Sequence, residues 1–307
     1  MRKKVIIDTD PGIDDAMAIM LALKSKKFDI LAFTTVCGNT TIKNTTRNAQ
    51  YILRELGVIN IPVYSGASKP LKRKLIPAFV HGQSGLVGIT PNNKPLLTNN
   101  AVDKIIELAK KNPRKITLIT LGPLTNLAQA IQKDPKAVKM LSEVVMMGGA
   151  IRTAGNMNRV AEFNMFVDPE AADIVFKFPI KKTLVPLDVC NTIALPLSDF
   201  AKIKDKKINT LLLEMVKPYI ENLQKEGYKN AIMYDPVTIY SLLYPEKLTT
   251  EFLDITIETK GNETRGMTVA DLRPQKQKII NMNVVTSLKL KDFRKNFLEI
   301  LNQGEKV

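Results

Sequence analysis

The chain has 307 residues, with 45 Lys+Arg against 30 Asp+Glu and a formal charge of +15. Its 45% hydrophobic content excludes wholesale disorder, and no apolar run reaches the ~18 residues that cross a bilayer. A single histidine, His81, and two distant cysteines, Cys37 and Cys190, exclude Cys/His zinc centres and paired-histidine metal sites by count.

Val5-Ile6-Ile7 reads as a buried strand, followed by an acidic loop and a helix over Ala16 to Leu23. Ile30 to Val36 reads as a second strand, Thr45 to Leu56 as a helix stopped by Gly57, and Ile61 to Tyr64 as a short strand. A basic, Gly/Pro-rich stretch from Ser65 to Pro95 precedes a helix at Ala101 to Lys111 and a strand at Ile116 to Leu121. Pro123 opens a helix through Ile131, and a strand at Val144 to Met147 ends in Gly148-Gly149. A long polar loop then runs to Asn164, and Asp168-Pro169-Glu170 starts a helix with cap, first-turn proline and acid in order. Lys182 to Leu187 reads as a strand, Ile208 to Leu223 and Pro236 to Leu243 as helices. Strands at Phe252 to Glu258 and Lys278 to Val285 precede a last helix at Lys291 to Leu301. This alternation predicts an α/β fold: one domain over residues 1–307, with a single open, mostly parallel, Rossmann-like sheet flanked by helices.

The basic residues, such as Lys24/Lys26/Lys27, Lys69/Lys72/Arg73/Lys74 and Lys202/Lys204/Lys206/Lys207, are dispersed along the chain. With no Trp and 6% aromatics they lack the interleaved stacking residues of a nucleic-acid surface, so neither nucleic acid nor membrane is an expected partner. Met1-Arg2-Lys3-Lys4 leads into only Val5-Ile6-Ile7 before Asp8, too short an apolar stretch for a signal peptide. A cytoplasmic location with reduced thiols is expected.

Against the basic background, Asp8-Thr9-Asp10-Pro11-Gly12-Ile13-Asp14-Asp15 packs four carboxylates between a strand end and a helix start. Helix capping accounts for two of them. Four would repel and raise one another's pKa unless a cation neutralises them, and oxygen-only ligation suits Ca²⁺ or Mg²⁺. A dehalogenase-type Mg²⁺ phosphohydrolase also opens with Asp-x-Asp after its first strand, but the next specific position, Thr or Val there, is Gly12 here.

The segment Asp8 to Ala16 closely resembles the DxDPGxDDA opening of the inosine–uridine nucleoside hydrolases. The resemblance continues through Thr34 to Asn39, Thr46 to Ala49, His81 to Gly85, Leu121 to Asn126, Met147 to Gly149, Ala161 to Asn164, Asp168 to Ala172 and Asp235-Pro236, in the family's order. It implies a Ca²⁺-dependent N-ribohydrolase that releases base and ribose from a small-molecule ribonucleoside in salvage, assembled as a homodimer or homotetramer. The Ca²⁺ ligands it implies are Asp10, Asp15, Asp235 and the Leu121 carbonyl. Asp10 would also be the general base, with Asp8 holding the loop behind it. Asp14, Asn39, Asn156, Glu162 and Asn164 fall at the positions that grip ribose.

The chain departs from the better-known members at the leaving-group acid, reading Tyr234-Asp235-Pro236 where they have His-Asp-Pro. His81, among glycine-rich neighbours and expected to be exposed, and Tyr234 are the candidate acids. Gln224 and Tyr228, four apart, are expected on one helix face toward the base. The missing histidine also keeps open a non-catalytic nucleoside or ribose binder.

Overall fold

Long apolar runs flanked by helices become the parallel strands of a central sheet, as both-face burial requires. The computed structural model describes residues 2–274 and 280–303. Strands β1 (Lys3–Thr9), β2 (Phe28–Thr35), β3 (Val63–Ser65), β4 (Ile116–Thr120), β5 (Glu143–Met147) and β6 (Lys182–Val185) run parallel. β7 (Ala194–Leu195) and β8 (Ala231–Ile232) form a small antiparallel pair. They are followed by β9 (Leu248–Leu253), β10 (Ile255–Ile257), β11 (Thr268–Ala270) and β12 (Met282–Leu288). The main sheet has the order β3-β2-β1-β4-β5-β6-β12-β9, with only β9, at its edge, antiparallel to its neighbour.

Alternation along β1 sets the two cores. Val5 and Ile7 face the helices Ile13–Lys24, Lys206–Lys225, Tyr234–Leu243 and Leu290–Leu301. Ile6 faces the other layer, formed by Ala101–Lys111, Thr125–Lys133 and Pro169–Lys177. The last of these begins as its sequence dictates: Asp168 accepts the Ala171 N–H at 3.1 Å, ahead of a first-turn proline.

The expected architecture holds, with local differences. Phe252 to Glu258 is not one strand: the chain leaves the main sheet at Asp254, and Ile255–Ile257 pairs with β11 instead. β12 starts at Met282, and residues 278 and 279 of the expected strand lie outside the described residues. Within Ser65 to Pro95 a short 3₁₀ turn, Phe79–His81, forms; the carbonyl of Val80 accepts from Asn222 at 3.0 Å.

Between β1 and β4 the order of the sheet reverses. β2 and β3 extend to one side, and β4 onward to the other. In open α/β sheets the crevice beyond the carboxyl ends at such a point is where ligands bind. The loops after β1 and β4, Asp10–Gly12 and Leu121–Leu124, open there.

Candidate active site

Beyond those strand ends lies a cavity of about 370 Å³. Its lining joins acids and amides, Asp14, Asp235, Asn39, Glu162 and Asn164, with aromatic and apolar side chains, Tyr219, Tyr228, Tyr234, Phe163, Phe79 and Met147. The carboxylates of Asp14, Asp15 and Asp235, all buried, bring oxygens within 4.8 Å of one another. Asp14 and Asp15 sit in the first turn of the helix Ile13–Lys24, and Asp235 in the first turn of Tyr234–Leu243, so two helix N-termini aim at one point.

Capping and clustering coincide in Asp15. It accepts from the Gly12 N–H at 2.9 Å, the Thr9 hydroxyl at 2.5 Å and the Asn39 amide at 3.1 Å. Asp10 stands outside the converging trio; its Oδ2 accepts the Asn39 N–H at 2.6 Å. A Cβ at Gly38 or Gly122 would run into the Asp10 carboxylate, so both neighbouring loops need glycine to approach it. The Leu121 carbonyl accepts the Asn164 amide at 2.7 Å, and Leu121 lines the cavity.

Burial lifts Asp14 to about 6. Burial, then the charge of Asp15, hold Asp10 and Asp235 well above the carboxylate range. Among the described residues no Lys or Arg forms an ion pair with these four, and only the His81 imidazole approaches, Nε2 lying 3.7 Å from Asp14. No hydrogen bond among the described residues reaches the Asp235 side chain, which is 2% exposed. A buried cluster of carboxylates with no Lys or Arg to neutralise it fits a hard divalent ion with oxygen ligands.

Asp8 is walled off from the cavity. Its Oδ1 accepts from Thr34 at 2.5 Å and Asn126 at 2.7 Å, its Oδ2 is buried without a partner, and burial lifts it to about 7. An attacking carboxylate needs an accessible oxygen, so the phosphohydrolase pattern has no nucleophile here.

Glu162 accepts backbone N–H groups from Gly149, Asn164 and Met165 and is lifted by burial to about 7. Asn156 holds the Phe163 N–H at 2.9 Å and lines the cavity together with Tyr234. Burial pushes the Tyr234 phenol well above its usual range, so it is a neutral O–H in that lining.

His81 departs from expectation: it is 5% exposed, not open to solvent. The glycines around it make the turn that folds the ring inward, where it stacks on Tyr219 at 5.4 Å and 13°. Its Nδ1 accepts the Ile13 N–H at 3.3 Å, leaving Nε2 to carry the proton, and burial lowers its pKa to about 4. Gln224 and Tyr228 do not share a helix face. The helix ends at Lys225, the Tyr228 N–H turning back to the Leu223 carbonyl at 3.0 Å; Tyr228 enters the cavity wall and Gln224 faces solvent.

Tyr219 and Glu226 complete the lining and are absent from the sequence reading. Tyr219 occupies an apolar position of an amphipathic helix, where periodicity marks it as core. Cys37 and Cys190 are free and buried. Burial, reinforced by Asp10, pushes the Cys37 thiol to about 12, which keeps it an inert packing residue.

The chain is similar to known proteins in sequence and in fold. The chain matches the model of the family described as "Inosine-uridine preferring nucleoside hydrolase" over residues 5–295. It is 37% identical over 316 residues to the inosine-uridine preferring nucleoside hydrolase of Crithidia fasciculata, taking in 100% of this chain and 99% of that one. It is 42% identical over 280 residues to the pyrimidine-specific ribonucleoside hydrolase RihA of Shewanella woodyi, covering 88% and 89%. Among solved structures it superposes on the plant nucleoside hydrolase PpNRh1 with a TM-score of 0.92 and 32% identity, over 99% of this chain and 100% of that one. The purine-preferring ribonucleoside hydrolase of Gardnerella vaginalis gives 0.90 and 29%, over 98% of each. The family model spans nearly the whole chain, and the chain therefore belongs to the inosine-uridine preferring nucleoside hydrolase family.

Proposed function

We propose that the protein is a Ca²⁺-dependent ribonucleoside hydrolase that splits the N-glycosidic bond to free base and ribose in nucleoside salvage. The observation that carries this reading is one cavity that brings a converging carboxylate trio together with aromatic side chains. A vicinal diol suits the first and a planar heterocycle the second.

A Ca²⁺ ion held by Asp10, Asp15, Asp235 and the Leu121 carbonyl, with Asp14 converging on the same point, would acidify a water and polarise the ribose hydroxyls. The chain's own groups do the rest. Asp10, its pKa raised by burial and by Asp15, takes the proton of the attacking water. Asn39, Asn156, Glu162 and Asn164 supply donors and acceptors for the sugar. Tyr234 donates to the departing base; buried neutral His81 holds Asp14 in place rather than acting as the acid. Tyr228 and Tyr219 line the cavity for the base. Among the described residues no helix is long and apolar enough to cross a membrane. A cytoplasmic homodimer or homotetramer completes the proposal; fractionation and sedimentation test it.

The deciding experiment incubates the protein with a panel of ribonucleosides and measures reducing sugar, with added Ca²⁺ and with excess chelator. Ribose release that the chelator abolishes is expected. Nucleoside binding without ribose release would leave a binder instead.

A further inference from the structure

Beside the nucleoside cavity, and separate from it, a cleft of about 160 Å³ is lined by Arg73, Lys74, Ile76, Phe166, Val167 and Arg265. Arg73 is spent: its guanidinium is paired with Glu170 at 2.9 Å and donates to the Thr259 carbonyl at 3.0 Å. Lys74 and Arg265 are not; among the described residues neither has a carboxylate within ion-pair distance. Arg265 is held instead by stacking, its guanidinium 4.7 Å above the Phe166 ring, with Nε–H buried and without an acceptor. Arg265, lodged over an aromatic ring, and the unpaired Lys74 line one concave cleft and offer charge-assisted donors to a tetrahedral oxyanion.

We infer that this cleft is a binding site for a small oxyanion of the phosphate class, distinct from the nucleoside site. The cleft lies between two segments that continue into the walls of the nucleoside cavity. Arg73–Ile76 runs on into Pro77–His81, and Phe166 belongs to the short helix Phe163–Val167 that begins with the cavity residues Phe163 and Asn164. An anion bridging Lys74 and Arg265 ties these two walls together. The inference stands on the cleft alone and is independent of which reaction the neighbouring cavity performs.

The test titrates the whole protein with inorganic phosphate at constant ionic strength, with one equivalent of Ca²⁺, and follows the melting temperature and the ³¹P line width. A saturable response is expected in the wild type, weakened about tenfold by Lys74→Gln and by Arg265→Gln, as loss of one charge-assisted contact implies. Lys74 is exposed, so its variant reads binding without a folding defect. Asp235→Asn, which disables the carboxylate trio, should keep the response. No saturable response in the wild type, an undiminished response in Lys74→Gln, or its loss in Asp235→Asn would overturn the inference.

Discussion

In the proposed reaction Asp10 takes a proton from the attacking water and Tyr234 gives one to the departing base. Asp10 is buried beside the trio, with Oδ2 taken by Asn39 and the glycines at 38 and 122 pressed against it. Asp10→Ala should lower kcat by about 10²–10⁴, the usual worth of a positioned base, with the melting temperature little changed; near-wild-type turnover would remove Asp10 from that role. For Tyr234 the informative comparison is between leaving groups. Tyr234→Phe should slow uridine hydrolysis by about 10- to 100-fold and p-nitrophenyl riboside by less than about threefold, since phenolate departs without a proton. Equal losses on both would return the hydroxyl to binding alone. His81→Ala, by contrast, should depress both substrates alike, because the ring is a neutral prop between Tyr219 and Asp14.

At the level of elements, the loops after β1, β2 and β4 are built to meet. The loop after β2 brings Gly38 and the loop after β4 brings Gly122 against the Asp10 carboxylate, and a methyl at either must push it aside. Gly122→Ala should therefore cost activity about as severely as loss of the base itself, while circular dichroism stays native. The parallel strands were readable because burial on both faces writes an unbroken apolar run, as in Val5-Ile6-Ile7 and Val144-Val145-Met146-Met147. The carboxylate loop was readable because four acids sit together in sequence. What escaped had no local signature. Asp254 parts two strands by changing sheet, the turn Phe79–His81 buries a histidine whose glycine neighbours predict exposure, and Tyr219 wears the periodicity of a core residue. Gln224 was misplaced for a related reason. Helix-face arithmetic fails one turn past the last helical residue, and the helix stops at Lys225.

For the molecule as a whole, the surface is basic and the cavity acidic, so a neutral nucleoside meets less opposition there than a polyanion. The buried acids also couple folding to pH. Asp8 and Glu162 at about 7 and Asp14 at about 6 hold protons more tightly folded than unfolded. Their contribution to the stability of the metal-free protein is complete below the unfolded carboxylate range near pH 4 and lost as pH rises through 6 and 7. A cation at the trio takes the place of the proton on Asp14, so Ca²⁺ should raise the melting temperature more at pH 8, by about 5–10 °C, than at pH 5. Scanning calorimetry with Ca²⁺ or chelator at the two pH values measures this, and an increment that does not grow with pH would count against a carboxylate-held ion.

The converging trio takes two members from the helix after β1 and its third from Tyr234–Leu243, which packs on that same helix from the far end of the chain. During synthesis the ribosome thus delivers β1 through β6 before the protein owns a complete ion site. An ion bound there can reward only a chain whose beginning and end have already met. It would serve as a late inspection of the finished molecule rather than as a seed for its folding.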